Sequence, residues 1–279
     1  MPRKILIIDD YDDLASKLEE VFTAKGYIVE KTENPEDALK LKEKQNFDII
    51  VSDLDVHKDT NLPKSLKPPT FRKNKKSLRI ARAFKILAEN YSLENFDENE
   101  LKNIFETILG YKTQFVDREP QVKYVHEKIE FVFPSALSLI YSILNYLVKR
   151  VEKTGVVSAE SSNLFVALDE AFVNAVKHGN KFDSKKLVRI TADISSEEAR
   201  FIVEDEGEGF DVNSIPDPTI EENLLKSSGR GVLIIKKIMD EAIYNEKGNR
   251  LEMVKKLEKN KIHNLKNEGH NRTDKYNQR

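Results

Sequence analysis

LFVALDEAFVNAVKHGN, residues 164–180, is the stretch on which the reading of this chain turns. Leu164, Leu168, Ala171, Phe172, Ala175 and Val176 recur at helical spacing, and no Gly or Pro interrupts them before Gly179. Glu170, Asn174 and His178 sit four residues apart, which predicts a carboxylate, an amide and an imidazole in a row along one side of a helix. Two glycine-bearing stretches follow: VEDEGEGFD from Val203 to Asp211, and SSGRGVLIIKKIMD from Ser227 to Asp240. Together the three point to a nucleotide site.

The rest of the chain bounds that reading. A length of 279 residues favours two domains. Charged residues make up 34%, apolar residues 39%, and the formal net charge is −2, so no overall charge bias draws the molecule to nucleic acid or membrane. There is no cysteine. That excludes disulfides, thiolate zinc sites and cysteine nucleophiles, and it fits a cytoplasmic setting. The opening MPRKILIIDD does not read as a signal peptide, and no run approaches the roughly 20 apolar residues of a membrane span.

In the N-terminal half, Lys4 to Ile8 reads as a buried parallel strand ending at Asp9 and Asp10. Asp13 to Lys25 reads as an amphipathic helix ended by Gly26, and Tyr27 to Lys31 as a second strand. Asn34 and Pro35 open another helix, and Phe47 to Ser52 is a third strand ending at Asp53. Strands alternating with helices predict an open parallel sheet with its ligand site beyond the strand ends. Asp9, Asp10 and Asp53 lie there, as three oxygen ligands for Mg²⁺ with one carboxylate left to accept a phosphoryl group.

KILIIDDYDD and IIVSDLDV resemble the first and third strands of response regulator receiver domains. AENYSLENFDENELKNIFETIL, Ala88 to Leu109, resembles such a domain's end. The resemblance implies a flavodoxin-like α/β fold over residues 1–117, Asp53 as phosphoacceptor, and an upstream histidine kinase. Two family features are missing. Glu94 and Asn95 stand where the family has Lys-Pro, and the fourth strand with its hydroxyl residue is not recognisable. Residues 57–88, degenerate against the family, hold a run between Asp59 and Glu89 with nine Lys or Arg and no acid. The half therefore reads either as a switch or as a docking module. The basic segment reads either as a solvated loop or as a surface for an acidic partner, with no helix-turn-helix to support direct nucleic-acid binding.

Residues 118–128, polar and carrying Pro120, are expected to be a linker that includes His126. Lys128 to Phe133 alternates as a strand, and Pro134 is expected to open a long apolar helix. Leu187 to Ile194 and Ala199 to Glu204 read as strands, a helix starts near Gly231, and a hairpin closes around KGN. These elements predict a two-layer α+β sandwich over 129–257, followed by a basic, disordered tail over 258–279.

The order of motifs in that half resembles the Bergerat-fold, or histidine kinase-like, ATPases. The resemblance implies ATP and Mg²⁺ as ligands. Asp205 would read adenine, and Gly207 and Gly209 would let backbone approach the nucleotide. Gly229, Arg230 and Gly231 would meet phosphates at a helix N-terminus. Asn174 would hold Mg²⁺, Glu170 would act as general base, and Lys177 and His178 would contact phosphate or ribose. The short lid and GRGVLIIKKIMDEAIYNEKGNRLEMVKKL most resemble the anti-sigma-factor serine/threonine kinases. That branch implies transfer to a STAS-type anti-sigma-factor antagonist, sequestration of a sigma factor, and a homodimer. The alternatives are a histidine kinase-like enzyme and a non-catalytic, ATP-binding sequestering module.

Overall fold

The computed structural model describes residues 2–56, 81–117, 126–158, 163–211 and 229–257. Its first half contains β1 (Lys4–Asp9), α1 (Ala15–Ala24), β2 (Ile28–Thr32), α2 (Pro35–Lys44), β3 (Ile49–Val56), β4 (Ala81–Leu87) and α3 (Glu98–Tyr111). The second half contains β5 (His126–Pro134), α4 (Ile140–Thr154), α5 (Leu164–Val173), β6 (Leu187–Ile194), β7 (Glu198–Asp205), α6 (Arg230–Ile238), β8 (Glu241–Tyr244) and β9 (Arg250–Lys256). Local chemistry marks the helix starts. The Asn34 side chain accepts the Asp37 N–H ahead of Pro35, and Asp97 accepts from Asn99 and Glu100. Gly155, at φ 79°, ends α4.

Among the described residues, nine strands join in one sheet, in the order β2-β1-β3-β4-β5-β6-β7-β9-β8. β1 pairs in parallel with β2 and β3, the start of a receiver fold. β5, β6, β7, β9 and β8 form the antiparallel sheet of the second half, with α4, α5 and α6 contributing to the core on one face. β4 joins the two: it runs antiparallel to β3 and parallel to β5. Both halves therefore share one hydrophobic core, from Ile5, Leu18 and Phe22 to Phe201 and Met253. Across the seam, Phe131 of β5 meets Phe84 of β4, Phe105 of α3 and Tyr146 of α4. Burial of each such ring contributes on the order of 1.5–3 kcal/mol, so the seam is bound as a core and not as a loose domain contact. Among the described residues, α2 covers the other face of the first half, over Leu6, Ile8, Phe47 and Ile50.

Several expectations change. The strand expected to end at Asp53 continues to Val56, because β4 pairs with it up to that residue. A fourth strand exists where none was recognisable in sequence, and it is antiparallel. β5 begins at His126, so part of the expected linker is strand, fixed by pairing His126 with Ala81 and Glu127 with Ile194. Pro134 ends β5 and does not open the helix, which begins at Ile140 after a turn at Leu137–Leu139. The basic run over 57–80, the lid over 212–228 and the tail over 258–279 lie outside the described residues.

Candidate functional site

The 164–180 stretch is not one uniform helix. α5 is α-helical to Val173, and Asn174–Gly179 forms a π-helical turn. The Asn180 N–H reaches back five residues to the Ala175 carbonyl at 2.8 Å. Glu170 and Asn174 remain one α-turn apart, but the wider turn carries His178 out of their row. Lys177 and His178 are both exposed at the helix end.

α6 packs beside α5 and brings the second glycine motif to this pair. A Cβ on Gly231 would come within 2.5 Å of Glu170 Oε2 and 3.3 Å of Asn174 Nδ2. Only glycine lets the start of α6 lie this close to the carboxylate and the amide. Gly229, at φ 90°, is the N-cap of α6, and the exposed Arg230 is its first residue. The N–H groups of this turn and the Arg230 guanidinium form a donor-rich edge next to the Glu170–Asn174 pair.

The first glycine motif closes around Asp205, the last residue of β7. The Gly207 N–H donates to Asp205 Oδ1 at 2.8 Å. A Cβ on Gly179 would overlap the Asp205 carboxylate, and one on Gly207 would overlap the Gly179 carbonyl. Two backbones thus approach one half-buried carboxylate. Burial raises the Asp205 carboxyl above its ordinary value, against the opposing Gly207 N–H and the more distant Lys247 and Lys186. Gly209, at φ 80°, places its chain against Lys247, where the Phe210 N–H donates to the Lys247 carbonyl at 3.0 Å.

Asparagines that the sequence reading passed over hold this arrangement. Asn180 is fully buried. Its Nδ2 donates to Ser135 Oγ at 2.8 Å and to the Leu187 carbonyl at 2.9 Å, while its Oδ1 accepts the Glu206 N–H at 2.9 Å. One amide therefore ties the end of α5 to β5, β6 and the loop after β7. Asn249 Nδ2 donates to the Asp205 carbonyl at 3.0 Å, and Asn245 Oδ1 accepts the N–H groups of Gly248, Asn249 and Arg250. The available signal was an amide directly after Gly179, where a helix end needs a donor and an acceptor together.

The acidic trio of the first half behaves differently. Asp9 Oδ2 accepts from the Leu14 and Ala15 amides at 2.9 Å, and Oδ1 from Tyr11 at 3.2 Å, so its carboxylate caps α1. Asp10 Oδ2 accepts the Asp55 N–H at 2.8 Å. Asp53 is buried, lies mid-strand opposite Phe84, and its Oδ2 meets Lys112 Nζ at 2.6 Å. Among the described residues, no three His, Asp or Glu side chains gather to hold a metal, and Asp9, Asp10 and Asp53 each keep partners of their own. The lysine partner, missing at Glu94 and Asn95, is supplied from the π-helical end of α3 at Lys112–Val116. Sequence alignment looks for that lysine after a fifth strand; here it comes from a helix 59 residues beyond Asp53.

Comparison with known proteins agrees with both halves. The family model described as histidine kinase-like ATPase domain matches residues 133–255, and that for the response regulator receiver domain matches residues 5–60. The chain is 30% identical over 107 residues to the serine-protein kinase RsbW of Staphylococcus epidermidis, covering 36% of this chain and 67% of that protein. It is 26% identical over 144 residues to RsbW of Staphylococcus aureus strain JH9, covering 49% of this chain and 91% of that protein.

Proposed function

We propose that this chain, which belongs to the family of the serine-protein kinase RsbW and carries a receiver domain ahead of a histidine kinase-like ATPase domain, is an ATP-dependent serine/threonine protein kinase. Its substrate is a STAS-type anti-sigma-factor antagonist, and it holds a sigma factor when that antagonist is unavailable. It works as a homodimer in the cytoplasm. Among the described residues no helix is long and apolar enough to cross a membrane.

The observation that carries this reading is the approach of Gly231 to Glu170 and Asn174. It brings a carboxylate, a side-chain amide and a helix N-terminus together. ATP supplies the γ-phosphoryl group. Asn174, beside the start of α6, would hold Mg²⁺ through its amide oxygen. Glu170 accepts the proton as the acceptor hydroxyl oxygen bonds to phosphorus and the bond to the ADP oxygen breaks. Asp205 accepts from the adenine amino group, and Arg230 with the α6 amides faces the phosphates.

His126 argues against a histidine acceptor. It is the first residue of β5, paired with Ala81, and its ring meets Asp193 of β6. A dimerising helix would need that residue on a helical face. Incubation with radiolabelled ATP and a STAS-domain protein is expected to give acid-stable phosphoserine or phosphothreonine on the partner. Acid-labile label on histidine would replace this reading with a histidine kinase. No transfer, with undiminished sigma-factor binding by Glu170→Ala, would replace it with a sequestering module.

A further inference from the structure

Away from the nucleotide site, five buried charges form a chain between the two halves. Asp53 of β3, Lys112 and Asp117 at the end of α3, Arg150 of α4 and Glu127 of β5 are 5, 2, 5, 4 and 5% exposed. Lys112 Nζ lies 2.6 Å from Asp53 Oδ2 and 3.2 Å from Asp117 Oδ1. Arg150 Nη1 is 3.4 Å from Asp117 Oδ2, and its Nε and Nη2 reach both carboxylate oxygens of Glu127. Tyr146 donates to Asp117 Oδ2 at 3.1 Å. On the opposite face of the sheet a second ladder crosses the same seam. Lys85 of β4 pairs with Glu130 of β5 at 3.0 Å, and Glu130 pairs in turn with Arg189 of β6.

We infer that Asp53 is the fixed end of a buried ionic brace that makes the receiver half and the ATPase half one folding unit, and that no phosphodonor reaches it in the folded protein. Three features support this. Asp53 sits inside a ladder, paired with Asp9 on one side and Phe84 on the other, and not at an open strand end. Its oxygen is bonded to a lysine that a second carboxylate also holds. The Asp9 carboxylate, which a metal-assisted transfer would need, already accepts three amide N–H groups. The three carboxylates are met by Lys112, by Arg150 and, at longer range, by Arg82, so a phosphoryl group would add negative charge where the buried ionic balance is already met. Removing one member would strand its partner's charge in the core on both sides of the seam.

Hydrogen exchange on the full chain, read by mass spectrometry, tests this. Asp53→Ala is expected to raise exchange on the order of 100-fold in β1 and β3 and by the same factor in β6 and β7. The pair Asp53→Leu with Lys112→Met, which removes both charges, is expected to restore most of the protection. Wild-type protein given acetyl phosphate and Mg²⁺ should gain no phosphoryl group. Faster exchange confined to β1 and β3, or a phosphoryl group on Asp53 of the wild type, would overturn the inference. Should Asp53→Ala not fold, the double variant decides: one shared opening free energy in β1, β3, β6 and β7 supports the brace, and two separate values overturn it.

Discussion

Asp205 and Asp53 are both strand aspartates on which a site was expected to centre, and their surroundings are opposite. Asp205 ends β7, is half-buried, and accepts from the Gly207 amide, with Gly179 and Gly207 backbone against it. Asp53 lies within β3, is buried, and has its charge met by Lys112. The first keeps acceptor capacity for a ligand and lacks an ion-pair partner among the described residues. The second has its charge met inside the protein, through Oδ2 and the buried Lys112. A carboxylate at the right place in a strand is thus not enough to make a site; what matters is whether the fold leaves its charge unmatched.

The sharpest way to break this contrast lies at the Glu170–Asn174 pair of the candidate site. Glu170→Ala is expected to lower phosphoryl transfer about 10²–10⁴-fold with nucleotide affinity nearly unchanged, measured by single-turnover transfer and calorimetry. Equal loss of affinity would mean that Glu170 serves binding and not proton transfer. Next in size, Arg150→Ala should cost about 3–5 kcal/mol in chemical unfolding, because Glu127 and Asp117 then remain charged in the core. An effect below about 1 kcal/mol would mean that water reaches the brace.

Asp205→Asn and Asp53→Asn separate the two surroundings directly. The first should weaken ATP binding about tenfold, by exchange of a charged acceptor for a neutral one, with the unfolding midpoint held or raised. The second should lower the midpoint and leave affinity under native conditions unchanged. A swap of the two phenotypes would refute the comparison.

Acidity sharpens it further. Burial raises the Asp205 carboxyl above its ordinary 3.8. A raised value in the fold means its contribution to stability is present below the unfolded value and lost as pH rises through the folded one. At neutral pH the unliganded protein therefore carries an unfavourable half-buried charge, which a donor on the nucleotide relieves. ATP affinity should fall as pH drops through that raised value, and Asp205→Asn should be flat in the same window. Glu130 shows the reverse sign. Burial opposes its ionisation, but Lys85 and Arg189 outweigh burial and bring its carboxyl below the ordinary 4.5. Its stability is present above the unfolded value and lost as pH falls through the depressed one. The smallest effect expected is that Glu130→Gln removes this acid-side loss from the stability-versus-pH curve.

Much of the candidate site's geometry was legible because its signals are local. Glu170 and Asn174 face one way through one helical turn, and the glycines mark places where backbone comes close. His178 misled because the α-helical period was carried through a turn that is π-helical, where an i+4 neighbour no longer shares a side. Asn180 was passed over because its partners, Ser135, Leu187 and Glu206, lie up to 45 residues away. β4 was missed because ARAFKIL carries no turn signal that tells a strand from a buried helix, and its pairing partners decide the matter.

The sequence by itself determined the order of the strands and helices other than β4, the receiver-like start, the histidine kinase-like ATPase motifs, and the glutamate, asparagine and glycines of the candidate site. These follow from spacing within a turn or a loop, where the chain's own geometry sets what can meet. Only the tertiary structure decided that the two halves share one sheet, that Lys112 answers Asp53 across 59 residues, and that Arg150 and Glu127 continue the same line of charge. Such contacts depend on which strand edges pair and which helices cover them. Lone Lys, Asp and Arg residues scattered through a charged sequence show nothing of that until burial makes each of them need a partner.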